Sequence, residues 1–202
     1  MNIIDAFPSP ISYNKNVLTL EQSKSIVKFC DDHPELFREH PKLNTYTRTT
    51  YNKTSMDSNR MFVKTFADLV DGGLDVIENV SALVNEYSDK IGSVPVKLTD
   101  MLITIQDKGG MVLPHQHGRA LYSAVLYAYT SKDSNNIYFY NPNPYTSLNY
   151  YKENNKYSHL YYNFNPQIGD CIIFPGWMSH GTHDEINNMD GRIVLNFNYT
   201  DI

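Results

Sequence analysis

The chain has 202 residues, a formal net charge of -5 and a pI near 5.7, a size that supports one domain whose core needs no staples. The acidic balance supplies no general field for phosphate backbones and argues against broad nucleic-acid binding, and no run approaches the roughly 20 apolar residues that span a bilayer. Residues 1–10 lack the basic flank and apolar run of a leader, and Cys30 and Cys171 lie far apart in apolar segments, so a cytoplasmic protein with two buried thiols is expected.

In chain order, residues 3–7 and 11–13 read as short strands separated by Pro8 and Pro10, which suits a sheet edge. Thr19 and Gln22 have the spacing of a capping box. They open a helix whose apolar stripe is Leu20, Ser23, Ile26, Val27 and Cys30, and His33-Pro34 ends it. Residues 39–55 are polar and read as a loop or an irregular edge strand. Phe62, Phe66, Leu69 and Val70 then recur at helical spacing, and Gly72-Gly73 separates them from a second helical run, Leu74, Ile77, Val80, Val84, Tyr87 and Ile91.

At Pro95 the period changes. Strands are expected over residues 96–106, 121–129, 136–140, 170–174 and 191–200, with loops between. Helices in residues 1–95 followed by strands in 96–202 predict a single α+β domain in which helices buttress a β-sandwich or barrel. The loop 141–166, crowded with Tyr and Asn, either closes over a site mouth or is a decorative insertion.

Two strand-borne features suggest chemistry. His115-Gln-His117 stands before the strand at 121, and residues at i and i+2 of an extended chain share a side. Such a pair can chelate one ion, although surface or hydrogen-bonded pairs are commoner. His180 follows the buried run 171–174 just past its end, where a barrel rim would place it, and a set of imidazoles there suits Fe(II), Zn(II) or Cu. Arg192 opens the last strand, on one face with Val194, Asn196 and Asn198, while Ile193, Leu195, Phe197 and Tyr199 share the other. Either face can be the inner one. An Arg beside a His on neighbouring strands invites an anion near a metal. Trp177 is expected to pack over the site, and His183 reads as a solvated loop residue.

Taken together, His115-x-His117, Ser123-Ala-Val-Leu-Tyr127, Ile137-Tyr-Phe-Tyr-Asn141-Pro142, Gly169-Asp-Cys-Ile-Ile-Phe-Pro175-Gly-Trp177-Met-Ser-His180 and Arg192-Ile-Val-Leu-Asn-Phe-Asn198 resemble the iron(II)/2-oxoglutarate-dependent dioxygenases. The likeness is nearest to the small bacterial and phage members of that superfamily and covers residues 101–198. It implies a double-stranded β-helix, or jelly-roll, core of about eight strands with N-terminal buttressing helices, and Fe(II) and 2-oxoglutarate as cofactor and co-substrate, with ascorbate as an assay supplement. It further implies hydroxylation of an unactivated C-H bond of a small molecule or protein side chain, with release of succinate and CO2.

By the same resemblance His115 and His180 bind iron and Arg192 holds the far carboxylate of 2-oxoglutarate. The position two after His115 carries Asp or Glu in most of the superfamily and is His117 here, so His117 is either the third ligand or stands behind the ligands. A Ser usual two residues after the Arg is Val194, so Tyr127 or Thr104 is expected to assist Arg192, unless both are plain core residues. A cupin-type metal-binding barrel and a non-catalytic jelly-roll binding domain are the rivals. The Glu that a cupin needs would fall at Leu121 or Tyr122, and that reading leaves Arg192 idle.

Overall fold

In the computed structural model, residues 8–39, 46–51, 56–143, 151–153, 155–182 and 184–202 are described; the expected strand at 3–7 and His183 lie outside them. The first strand, β1 (Ser12–Asn14), leads to α1 (Leu20–Asp32). The helix starts where a capping box satisfies both free ends: Gln22 N donates to Thr19 Oγ1 at 3.1 Å, and Thr19 N donates to Gln22 Oε1 at 3.0 Å. The stripe that α1 buries is Ser23, Ile26, Phe29 and Cys30. Leu20, assigned to it above, is 63% exposed, because the inward face is centred on Phe29. A short 3-10 turn (Pro34–Leu36) follows, then the short strands β2 (Arg38–Glu39) and β3 (Thr47–Thr49).

Helices α2 (Met56–Leu69) and α3 (Gly73–Lys90) turn at a glycine pair, each Gly for its own reason. Gly72 has φ 72°, in the left-handed region, while a Cβ on Gly73 would lie 2.6 Å from the Phe66 carbonyl oxygen. Beyond Pro95 come β4 (Val96–Gln106), β5 (Tyr122–Tyr129), β6 (Ile137–Tyr140), β7 (Tyr161–Phe164), β8 (Cys171–Pro175), β9 (His180–Gly181) and β10 (Arg192–Asp201). Strand β7 corrects the reading of 141–166 as loop throughout, and β9 shows His180 to be part of a short strand and not past one. Both owe their extended state to pairing with β6, a tertiary cause that local pattern does not carry.

Among the described residues seven strands form one antiparallel sheet in the order β1-β8-β5-β10-β4-β3-β2, and three form a second in the order β7-β6-β9. Alternation gives the large sheet two apolar faces. Ile193, Leu195, Phe197 and Tyr199 of β10, with Met101, Ile103, Ala124 and Leu126, pack under Ile26, Phe66, Val80 and Val84 of the helices. On the opposite face Val125, Tyr127, Ile172, Phe174 and Val194 meet Ile137 and Phe139 of the small sheet. The face that carries Arg192, Val194, Asn196 and Asn198 therefore looks into the space between the sheets. The architecture is α+β, a jelly-roll sandwich with helices on its outer face. Both cysteines are free and buried, and burial pushes each thiol up to about 12. Among the described residues no helix is long and apolar enough to cross a membrane.

Candidate metal centre and anion pocket

Where the two sheets approach, three imidazoles converge. His115 and His180 face each other in an antiparallel bridge, with His115 N donating to His180 O at 2.9 Å and His180 N to His115 O at 3.1 Å. Two residues on, His117 N donates to Gly176 O at 2.8 Å, so the period of two brings its ring to the same side. Gly176 permits this approach, since a Cβ there would meet the Ala120 carbonyl oxygen at 2.1 Å. One potential ligand atom from each of the three histidines lies within 4.8 Å of the others.

The acceptors around the rings assign their tautomers. Nδ1 of His115 lies 2.9 Å from Leu113 O, Nδ1 of His180 lies 3.0 Å from Met178 O, and Nδ1 of His117 lies 2.6 Å from Asn198 Oδ1. Each partner is an oxygen that only accepts, so each Nδ1 carries the proton and each Nε2 a lone pair. His115 Nε2 and His117 Nε2 are 3.2 Å apart. Two lone pairs at that distance repel unless a cation lies between them. Burial, with His115 alongside, pushes His117 down to about 4, and burial followed by the other two histidines holds His180 well below the ordinary imidazole value. His117 and His180 are thus held neutral, as metal ligation requires.

Behind His117 runs a polar chain. Asn198 Oδ1 also accepts from Ser123 Oγ at 2.9 Å, while Asn198 Nδ2 donates to Asp100 Oδ1 at 2.8 Å. That pattern fixes the Asn198 amide and connects a buried carboxylate to the ring through one residue. Phe174 and Phe139 wall the cluster, with ring centroids 4.5 and 5.8 Å from His180. Trp177, expected to pack over the site, is instead 48% exposed, because the turn after β8 directs Met178 inward in its place.

On the same face of β10, Arg192 is 1% exposed. Its Nη1 donates to Gln106 Oε1 at 2.5 Å and to Asn135 Oδ1 at 2.6 Å. Gln106 is the residue opposite it on β4. Nε and Nη2 of Arg192 and Nε2 of Gln106 are buried with no hydrogen-bond partner among the described residues. A buried donor left in that state costs about 1 to 3 kcal/mol, more when charged. Three such donors on two facing residues call for an anion with several lone pairs. Burial pushes the guanidinium pKa down and Tyr127 opposes that shift; its ring centroid lies 5.3 Å from Arg192 Cζ. Thr104, opposite Val194, is buried on the same face, but among the described residues no hydrogen bond joins it to Arg192.

The structure thus gathers His115, His117 and His180, sets Tyr127 beside Arg192, and leaves Thr104 apart. Sequence reasoning missed Gln106, Asn135 and Asn198. Only Asn198 left a trace, through its place on the Arg192 face. The residues fit the groups expected of them: neutral imidazole nitrogens suit borderline divalent iron, and the vacant donor edge of Arg192 suits a carboxylate.

Fold and cluster together define a double-stranded β-helix protein with three histidines between its sheets. The family described as "Putative 2OG-Fe(II) oxygenase" matches residues 100–198, from β4 to Asn198. Over these residues the chain matches the iron(II)/2-oxoglutarate-dependent oxygenases. Among solved structures it is similar to SnoN, a non-heme alpha ketoglutarate dependent epimerase from nogalamycin biosynthesis, at 12% identity and TM-score 0.63, over 96% of this chain and 78% of that one. HygX from Streptomyces hygroscopicus, solved with nickel and 2-oxoglutarate bound, gives 12% identity and TM-score 0.57 over 96% and 83% of the two chains. A Pseudomonas putida prolyl-4-hydroxylase gives 12% and 0.53 over 96% and 94%. At such identities the likeness is one of fold. No curated protein matches the sequence.

Proposed function

We propose that this protein is an Fe(II)- and 2-oxoglutarate-dependent dioxygenase that hydroxylates an unactivated C-H bond of a small molecule or a protein side chain, releasing succinate and CO2. The observation that carries the reading is the convergence of three histidines, each with a potential ligand atom within 4.8 Å of the others, whose Nδ1 atoms all face oxygen acceptors. His115, His117 and His180 hold the iron, and His117 takes the place of the superfamily's usual carboxylate. Bound iron and 2-oxoglutarate together supply the dioxygen activation and decarboxylation that no protein side chain can. Leu113 O, Met178 O and Asn198 keep each imidazole in the ligating tautomer. Phe139 and Phe174 keep water from the side of His180 they cover. Arg192 orients the far carboxylate through the planar edge of its guanidinium, with the Tyr127 ring beside it.

The two buried thiols suit a cytoplasmic setting. Exposed Tyr157, Tyr161 and Tyr162 offer faces on which an aromatic ring, a sugar or a peptide can stack. The test is iron and 2-oxoglutarate added under argon: a visible metal-to-ligand charge-transfer band is expected, and its absence favours a non-catalytic barrel. In air with ascorbate, succinate release should exceed that of a His180→Ala control once a substrate is present. Mass spectrometry of a host extract after incubation should then find a product heavier by one oxygen.

A further inference from the structure

We infer that Gln106 is a specificity-determining residue of the co-substrate pocket: its amide Nε2–H donates to the far carboxylate of 2-oxoglutarate beside Arg192, in a chain whose Val194 offers no hydroxyl for that task. The inference rests on the functional reading above and adds to it a residue that neither sequence pattern nor family likeness indicates. Gln106 and Arg192 lie opposite each other on β4 and β10, and each is 1% exposed. Arginine has no acceptor, so its Nη1–H can be met only by the oxygen of Gln106. That contact forbids the flipped amide and turns Nε2 away from Nη1, where it has no acceptor of its own. Asn135 Oδ1 takes the second Nη1 direction and holds the guanidinium in place.

What remains without a partner is Nε and Nη2 of Arg192 and the Nε2 amide of Gln106. A hydroxyl or a keto oxygen would meet one or two of these donors and leave the buried charge unopposed. A carboxylate has a negative charge and two oxygens with about four lone-pair sites, which meet all three. Both groups that hold Nη1 are neutral amides. Glutamate at 106 would give Arg192 a counterion and make the empty pocket more stable, yet it would also fill the pocket's charge and repel the ligand. Glutamine holds Arg192 without neutralising it.

The test uses iron-loaded protein under argon, with 2-oxoglutarate and pyruvate as probes. Pyruvate has the same keto-acid head and lacks the far carboxylate. Gln106→Leu should weaken 2-oxoglutarate about 10- to 100-fold, the range of one hydrogen bond to a charged group, and Gln106→Glu by more than about 100-fold. Neither should change the affinity for Fe(II) or pyruvate, whereas Gln106→Glu should raise the melting temperature of the ligand-free protein. A residue that merely shapes the fold would shift both probes together. Variants that bind 2-oxoglutarate as the wild type does overturn this inference alone. A wild type that binds Fe(II) but prefers 2-oxoglutarate no more than pyruvate overturns the functional reading and this inference with it.

Discussion

Arg192 and the histidines serve different ligands in the proposed enzyme, so substitutions should separate metal affinity from co-substrate affinity. Arg192→Ala should leave Fe(II) binding intact while weakening 2-oxoglutarate by about 1.5 to 3 kcal/mol, and Arg192→Lys should restore only part, because an ammonium lacks the planar edge. Calorimetry under argon reads both quantities. His117→Ala should lower iron affinity, whereas His117→Asp should keep or improve it by restoring a carboxylate. Asn198→Leu removes the acceptor of His117 Nδ1 and the link to Asp100, and should cost about 10- to 100-fold in Fe(II) affinity. Titration with Fe(II) tells these apart; equal affinities for the wild type, His117→Ala and Asn198→Leu would mean that His117 is structural. The histidines and Arg192 could be singled out from the sequence because spacing and order mark them. Gln106, Asn135 and Asn198 are common polar residues whose partners lie 57 to 86 positions away in the chain, so only the folded register reveals them.

The turn that sets His117 is held by a close backbone approach. At the end of β8, Gly176 abuts the carbonyls of His117 and Ala120. Gly176→Ala should push that turn away and lower Fe(II) affinity by more than its effect on urea stability, which equilibrium unfolding and titration measure side by side. Equal affinity in the variant would show that the turn yields without moving His117. The helices and long strands were legible in the sequence because their causes are local. Thr19 and Gln22 cap α1, the glycine pair divides α2 from α3, and Pro95 marks the change of period. Strands β7 and β9 were not legible. All four residues of β7 keep some exposure, with no buried alternate face, and β9 is two residues long, so neither presents a pattern before β6 pairs with it.

Over the whole molecule the large sheet separates two apolar clusters, one under the helices and one around the site. Stability and chemistry should therefore be separable. Phe66, fully buried on the sheet-facing side of α2, should cost about 3 to 5 kcal/mol on change to Ala, while the folded protein keeps its Fe(II) affinity; urea denaturation and metal titration check the two halves. A loss of iron binding in folded Phe66→Ala protein would mean that the sheet transmits packing changes to the histidines. The strand order has a consequence for biosynthesis. Strands β4 and β5 follow one another in the chain but are not neighbours in the sheet, because β10 lies between them. Until residues 192–201 leave the ribosome, both strands wait with an open edge and an uncovered apolar face. The helices and their capping signals can form early, but the strand that brings Arg192 to Gln106 also joins the two halves of the sheet. Joining the two halves of the sheet and bringing Arg192 to Gln106 are thus one event, which waits on β10.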